Sequence, residues 1–509
     1  MNYPVWDVSF GAGLLIALIS VLHVFISHFA VGGGLFLVLT EKKAYRENDT
    51  ALLEWLKRHT KFFVLVTVVL GAVTGVGIWF TIALVHPSGT STLIHSYVWG
   101  WAIEWVFFFL EITAALLYLY GWSKLDRRTH LWFGWIYFIA AFASMVIING
   151  ILTFMLTSGR WIENREFWVG FFNPTYFPSL FLRFAFALAL AGIYALLTAS
   201  VQKDAALKAK IVKWSAWWIV PAFVVLPLFA YWYVRNIAPE VWSSSQGLMP
   251  TATFYADLIL IFSVVTFVLS LLTLVKPAKL HIVFSLLVMA SAFTTMWAFE
   301  FIREAIRKPY IIANYMYANS IYKTPMPGDG GFNVPQLNET GVLHTAKWMS
   351  QRKLTAENQV AVGKEIFRVQ CQSCHTVAAY RGVKAVLQQR NWESATLLQM
   401  LGSLEAMHNG TMPPFGGTEA ERAALAAFLS GLYSPSPAAG LPDGQAIFAS
   451  NCAPCHRAVP ADRIYSQLRE LDEETISVMV EDLQSLNARM PQIQLSAEQR
   501  LALAQWLRQ

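Results

Sequence analysis

The chain has 509 residues, 56% of them apolar and 14% charged, with a formal net charge of +6. Its length exceeds what one core needs, and its apolar content excludes a chain that is soluble throughout. The basic excess is no nucleic-acid footprint: much of it sits in short stretches between apolar runs, which is a membrane-topology pattern.

Met1–Phe10 has no basic n-region, and the apolar run from Phe10 to Thr40 is too long for a cleaved signal peptide, so it reads as a retained helix. Further runs long enough to span a bilayer lie at about 61–85, 97–122, 131–157, 177–200, 212–234, 252–275 and 281–303, which makes about eight spans. The loops 41–61, 123–130, 201–213 and 276–281 hold fifteen Lys and Arg; the alternate connections 86–96, 158–176 and 235–251 hold only Arg160, Arg165 and Arg235. The positive-inside rule then puts the N-terminus outside and returns residue 310 to that same side.

Polar groups inside spans are costly and mark function by default. His23 lies mid-span in the first helix. His28 follows five positions on, about 140° around, so the two do not share a face. In the third helix Glu104 and Glu111 are seven apart and point one way. The fourth helix carries Asn149, the fifth Arg183, and the eighth ends in Glu300-Phe-Ile-Arg303-Glu304-Ala-Ile-Arg307-Lys-Pro309-Tyr310. His23, Glu104, Glu111, Asn149 and Glu304 converge on the outer half of the membrane. The bland alternatives are a helix–helix hydrogen bond for His23, an interfacial charge cluster for Glu304, and snorkelling for Arg183 and Arg307. His59, His86, His95 and His130 sit at loop edges and read as solvated. Tyr97, Trp99, Trp101, Trp122, Tyr231 and Trp232 read as an interfacial belt. Residues 311–350, rich in Asn, Tyr, Pro and Gly, read as an irregular outer-surface connector, with His344 on its surface.

The tail repeats itself. Cys371-Gln-Ser-Cys374-His375 and Cys452-Ala-Pro-Cys455-His456 have the spacing of covalent c-type haem attachment, in which two thiols add to the vinyls and the imidazole takes one iron face. Gly363-Lys-Glu-Ile366-Phe367 and Gly444-Gln-Ala-Ile447-Phe448 precede the motifs at equal distances. Met412-Pro413 and Met490-Pro491 follow them, each with an Arg (Arg422, Arg500) ten residues after the Met. The two motifs use all four cysteines, so no disulfide framework remains. Over roughly residues 350–509 the chain resembles the class I cytochrome c fold in tandem. That implies two c-type haems, with His375 and His456 opposed by Met412 and Met490, a pairing that raises the potential and closes the iron. Met407 and Met479 are rival ligands. Residues 434–440 read as the linker between the two copies.

Residues 1–310 resemble subunit I of the cytochrome bd quinol oxidases. The resemblance lies in His23, in Gly71-Ala-Val-Thr74-Gly75, in Ala102-Ile-Glu104 with Phe108-Phe-Leu-Glu111, in Asn149-Gly150 and in Glu304-Ala-Ile-Arg307-Lys-Pro309-Tyr310. It implies that His23 and Glu304 ligate one or two high-spin haems of b or d type, and that Glu104, Glu111, Asn149 and Arg307 serve oxygen chemistry beside them. It also implies a second membrane subunit. Four departures matter. The two glutamates are one position closer than in the family. Arg183 replaces the His of the low-spin haem, where it could meet a haem propionate. The seventh helix offers no Met, and the 235–251 connection is too short for a quinol-binding loop. The expected fold is all-α: a polytopic bundle over 1–310, a connector over 311–350, and cytochrome c domains over 351–434 and 443–509 joined by 435–442. The expected function is a bd-like terminal oxidase in a bacterial cytoplasmic membrane. Both termini would lie outside, a soluble or membrane-bound c-type donor would feed it, and oxygen would be reduced to water. A quinol-to-cytochrome c conduit, or reduction of another small ligand such as nitric oxide, is the alternative.

Overall fold

The computed structural model describes residues 5–237, 250–325, 329–433 except 347, 391, 393, 408 and 409, then 444–452, 456, and 468–508 except 488, 489 and 491. The 434–440 linker and Cys455 therefore lie outside the described residues.

Eight helices are long and apolar enough to cross a membrane: Ala12–Arg46, Thr50–Val85, Val98–Gly121, Arg127–Leu156, Tyr176–Ser200, Ala205–Arg235, Thr253–Leu272 and Ile282–Ile306. They are the first to eighth membrane helices below. The basic stretch 41–61 is mostly helix rather than loop. The first two helices turn over at residues 47–49, where Asp49 caps the second through Leu52 N at 2.8 Å and Lys210 binds Glu47 at 2.7 Å. Lys210 and Lys43 hold the Glu47 carboxyl below its ordinary range. On the opposite side, 87–96 is also a helix, with Pro87 in its first turn.

Helices in a membrane approach closely where small residues let them. The first helix does this with three consecutive glycines. A Cβ on Gly32 would lie 1.9 Å from Ala187 O of the fifth helix; one on Gly33 would strike Phe63 of the second, and one on Gly34 would strike Tyr137 of the fourth. The fifth helix is the most enclosed, with 78% of its apolar window buried, and the first and fifth together form the centre of the bundle. Large apolar side chains such as Trp105, Phe109 and Leu260 cover the outside.

The stretch after the eighth helix is more ordered than its composition implies. Tyr310–Ile312 pairs antiparallel with Met316–Tyr317, and Ile312, Tyr315, Met316 and Tyr322 join one core with Leu93, Tyr97 and Trp161. Val342, Leu343, Ala346 and Met349 pack with Val362, Ile366 and Leu425 of the first cytochrome c region. There the helices Gln359–Gln370 and Glu419–Ser430 cross at Gly363, where a Cβ would lie 2.0 Å from Ala424 O. In the second copy, Gly444–Asn451 and Ala497–Arg508 cross at Gly444, where a Cβ would lie 2.1 Å from Ala502 O. The repeated glycines of the sequence are thus the crossing points of two like helix pairs.

Candidate functional site

At the first C-x-x-C-H motif, burial pushes the Cys371 thiol up to about 12. His375 donates Nδ1–H to Arg381 O at 3.3 Å, and burial lowers its pKa, which leaves a neutral Nε2 lone pair for iron. Gln370, just before Cys371, binds the Gly416 backbone at both ends of its amide, one bond being Gly416 N to Oε1 at 3.2 Å. This ties the loop carrying Met412 to the motif. Met407 is buried in the short helix Leu404–Met407. In the second copy Cys452, His456 and Met490 are described. Burial lowers the His456 pKa, and Arg500 binds Leu495 O at 3.1 Å and Glu481 at 3.3 Å.

In the membrane bundle the ring of His23 is held from behind. Its Nδ1 lies 3.0 Å from Thr74 Oγ1, whose own proton goes to Leu70 O at 2.7 Å, so the hydroxyl oxygen accepts from the ring. Nε2 is therefore the lone-pair nitrogen. A Cβ on Gly75 would stand 3.0 Å from the ring, so that glycine keeps the space open. A π-helical stretch, Leu65–Leu70, precedes this turn, as such stretches often do at functional sites. His28 donates Nδ1–H to Val24 O at 2.7 Å and buries an Nε2 with no partner.

Glu104 accepts from Ser144 Oγ at 2.9 Å, and Glu111 accepts from Tyr137 OH at 3.0 Å. The seven-residue spacing of the glutamates recurs in their partners on the antiparallel fourth helix. One heptad further along both helices, Tyr118 stacks on His130 with ring centroids 4.3 Å apart. Both residues bind the fully buried Glu41, Tyr118 OH at 2.7 Å and His130 Nδ1 at 2.8 Å. A cavity of about 10 Å³, close to the room one water needs, lies between Tyr118 and Tyr137.

A sequence profile of cytochrome bd terminal oxidase subunit I matches residues 12–240, and one of cbb3-type cytochrome c oxidase subunit III matches residues 358–429 and 439–507. The chain is a cytochrome bd oxidase subunit I-like membrane domain fused to two C-terminal class I cytochrome c domains. It is thus a multi-pass membrane haem protein of electron transport and an oxidoreductase. No curated protein matches the sequence. Among solved structures, the bd oxidase from Geobacillus thermodenitrificans shares the fold at a TM-score of 0.53 and 18% identity, covering 59% of this chain and 87% of that one.

Where the bd-like domain departs from its family, the structure supplies a replacement. Arg183 is buried and does not snorkel. Its Nη2 lies 2.9 Å from Glu300 Oε1, and its Nε donates to Ser179 Oγ at 3.3 Å. Arg303 donates to Glu300 Oε2 at 2.7 Å, and Ser179 donates to Asn149 Oδ1 at 2.7 Å. Asn149 thereby joins a polar network across the fourth, fifth and eighth helices. Arg307 is likewise buried, against the snorkelling alternative. Its Nη2 reaches both Glu304 oxygens at 2.5 and 2.6 Å, its Nη1 binds Ile311 O at 2.6 Å, and Lys308 stands 3.2 Å from Glu304. The Glu304 side chain itself is 43% exposed.

Other expectations need correcting. His59 and His130 are buried. His86 is partly buried and doubly engaged, binding Ala318 O through Nε2 at 2.5 Å and accepting from Gly89 N at 3.3 Å. Helix ends packed against neighbouring elements, rather than solvent, surround these rings; His95 and His344 are exposed as expected. Tyr97 is no belt residue: it is fully enclosed, against Phe154 and Phe167. Sequence reasoning also missed Glu300, Thr74, Ser144, Tyr137 and Glu41 as partners. It missed Glu421 too, a buried carboxylate that accepts from Val342 N, Leu343 N and Thr418 N, each at 2.9 Å. Thr418-Glu-Ala-Glu421 is a capping-box signature that could have found it.

Proposed function

We propose that the chain is the haem-bearing subunit of a bd-like terminal oxidase that takes electrons from a c-type donor and reduces oxygen to water. The observation that carries this reading is His23, a ring pinned through Nδ1 by Thr74, free at Nε2, and faced by a glycine. That donor set would suit an imidazole ligand to a haem iron, with a second group fixing the tautomer. A high-spin haem held there would supply an iron able to bind a small ligand. The residues do the rest. His23 holds the iron, with His28 as the rival. Glu304 is the second candidate ligand, and Arg307 fixes its orientation. Glu111 and Glu104, each backed by a hydroxyl on the fourth helix, hold and pass protons toward the reacting side. Asn149 positions the network beside them.

Cys371 with Cys374, and Cys452 with Cys455, would hold the two c-type haems, with Met412 and Met490 as candidate iron ligands beside His375 and His456. Arg183 is no propionate anchor in this reading, because Glu300 already neutralises its charge and Ser179 takes its Nε–H. The loss of a low-spin haem seat and the gain of c-type domains point the same way, to a c-type donor instead of quinol. We place the basic ends of the helices in the cytoplasm and the cytochrome c domains outside a bacterial cytoplasmic membrane, with a second membrane subunit alongside. The test is oxygen uptake by the purified complex with a reduced c-type cytochrome as donor. Absence of uptake with every haem in place rejects the oxidase reading and leaves an electron conduit.

A further inference from the structure

The first cytochrome c domain rests on the membrane domain through its haem-attachment motif. Gln372, between the two cysteines, donates Nε2–H to Asp7 Oδ1 at 2.9 Å and to Trp6 O at 3.3 Å. Thr376, the residue after His375, lies over Gly11, where a Cβ would come within 3.3 Å of its methyl and 3.8 Å of Tyr380 Cβ. Gly11 has φ +117°, a conformation that disfavours any other residue, so the approach is built into the backbone. Trp6 is itself fixed: its N–H donates to Leu84 O at 2.8 Å, and its ring meets Phe80 edge-on at 6.0 Å. On the other flank of the domain, Asn319 Nδ2 donates to Pro414 O at 3.2 Å, two residues from Met412, and Tyr317 OH donates to Glu405 Oε1 at 3.3 Å.

We infer that Trp6, Asp7 and Gly11, with Tyr317 and Asn319, form a fixed seat for the first cytochrome c domain, and that electrons pass between the two domains across this contact. The inference rests on the reading of the chain as a c-fed oxidase. The two cysteines bond the rim of the porphyrin, so the residues between them border that rim, and here they face the membrane domain. The seat is built on the outer end of the second membrane helix. Phe80, under Trp6, is six residues from Thr74, or about 9 Å along the axis, and Thr74 holds His23. One electron is lost on the cytochrome c side for each gained on the membrane side, and no bond is made or broken. With the motif side of the first domain turned inward, the second cytochrome c domain is left to meet the external donor.

Two measurements on the full-length holoprotein test the seat. In Q372K an ammonium should meet Asp7, and a carbodiimide should join them as an amide, seen as one linked peptide pair by mass spectrometry and absent when Asp7→Asn is added. No linked pair, in protein that retains its c-type haems, overturns the inference. In Thr376→Arg, which wedges the contact, electron equilibration between c-type and membrane haems after rapid mixing with reductant should be roughly tenfold slower. The c-type spectra and potentials should stay unchanged. An unchanged rate in that variant also overturns it. A linked pair without oxygen uptake would keep the seat and reject the oxidase reading; uptake without a linked pair would do the reverse.

Discussion

His23 and Arg183 both place nitrogen groups inside the helix bundle, and their surroundings differ in kind. His23 is bonded on one side only, by Thr74, and Gly75 keeps room beside the Cε1 edge of the ring. Arg183 is closed off by Glu300 and Ser179, with Arg303 completing the Glu300 carboxylate. A ring bonded on one side only has a nitrogen to offer a ligand, whereas a guanidinium paired with a buried carboxylate is structural. In the proposed reading, the difference separates a candidate haem seat from a position that its charges have filled.

Removing Arg183 should break this contrast most severely. Arg183→Leu leaves the Glu300 carboxylate buried with one partner instead of two, and breaking a buried pair this way costs about 3–5 kcal/mol. The thermal unfolding midpoint of the detergent-solubilised protein should fall steeply, and Arg183→Leu with Glu300→Gln should recover part of the loss. A midpoint unchanged in Arg183→Leu would mean that the network does not hold the three helices together.

A smaller loss is expected where the second membrane helix meets the hairpin after the eighth. Burial, with Lys308 and Arg307 nearby, pulls His86 down to about 4, against the Ala318 carbonyl. The geometry agrees, because Nε2 binds that carbonyl and Nδ1 accepts from Gly89 N, which only neutral imidazole can do. The folded pKa lies below the unfolded value of about 6.5. The stability is thus fully present above pH 6.5 and is lost as pH falls toward 4, on the order of 3 kcal/mol in all. The unfolding midpoint should drop over that window, and His86→Gln should flatten the slope. Equal slopes in the two proteins would remove His86 as the cause.

The eight spans were legible because a bilayer demands some twenty apolar residues in a row, and nothing in a soluble core imitates that. The cytochrome c copies were legible because covalent attachment fixes spacing within one short stretch. The partners were harder, because each lies on another helix. Glu300 stood in plain view, and the rule that intramembrane charges pair should have sent Arg183 to it. Ser144 and Tyr137 repeat the seven-residue spacing of Glu104 and Glu111, a signal readable only with both helices side by side. Gln372 and Asp7 are 365 positions apart, and no local pattern joins them.

The open side of the contrast can be sharpened at Thr74. Thr74→Val keeps the shape but removes the acceptor for His23 Nδ1–H, so the ring loses its fixed tautomer and orientation. Changes to such supporting groups cost roughly 10–100-fold in metal affinity. Membrane haem per chain should fall in Thr74→Val and fall further in His23→Ala, while the c-type haems stay. Full carbon monoxide binding in His23→Ala would pass the ligand role to His28, whose Nε2 is also without a partner.

Glu304 stands between the two cases, and its substitution should have the smallest effect on stability. Its carboxylate is partly open, like the His23 ring, yet Arg307 and Lys308 already bind it, as Glu300 binds Arg183. The carboxylate of this pair is open to solvent although Arg307 is buried, so its loss should cost less than that of the Arg183 pair, on the order of 1 kcal/mol. Glu304→Gln should therefore leave the unfolding midpoint nearly where it was, and Arg307 keeps its bond to Ile311 O. Haem content is the sharper readout. A neutral amide is a poor iron ligand, so if Glu304 ligates, Glu304→Gln should lose or strongly shift one high-spin haem signal and lower turnover, with both c-type haems still reducible. Arg307→Lys keeps the charge and loses the fork that orients the carboxylate, so it should lower turnover less. Normal haem content and turnover in Glu304→Gln would leave Glu304 a member of an ion pair alone and His23, with His28 as its rival, the remaining ligand candidate.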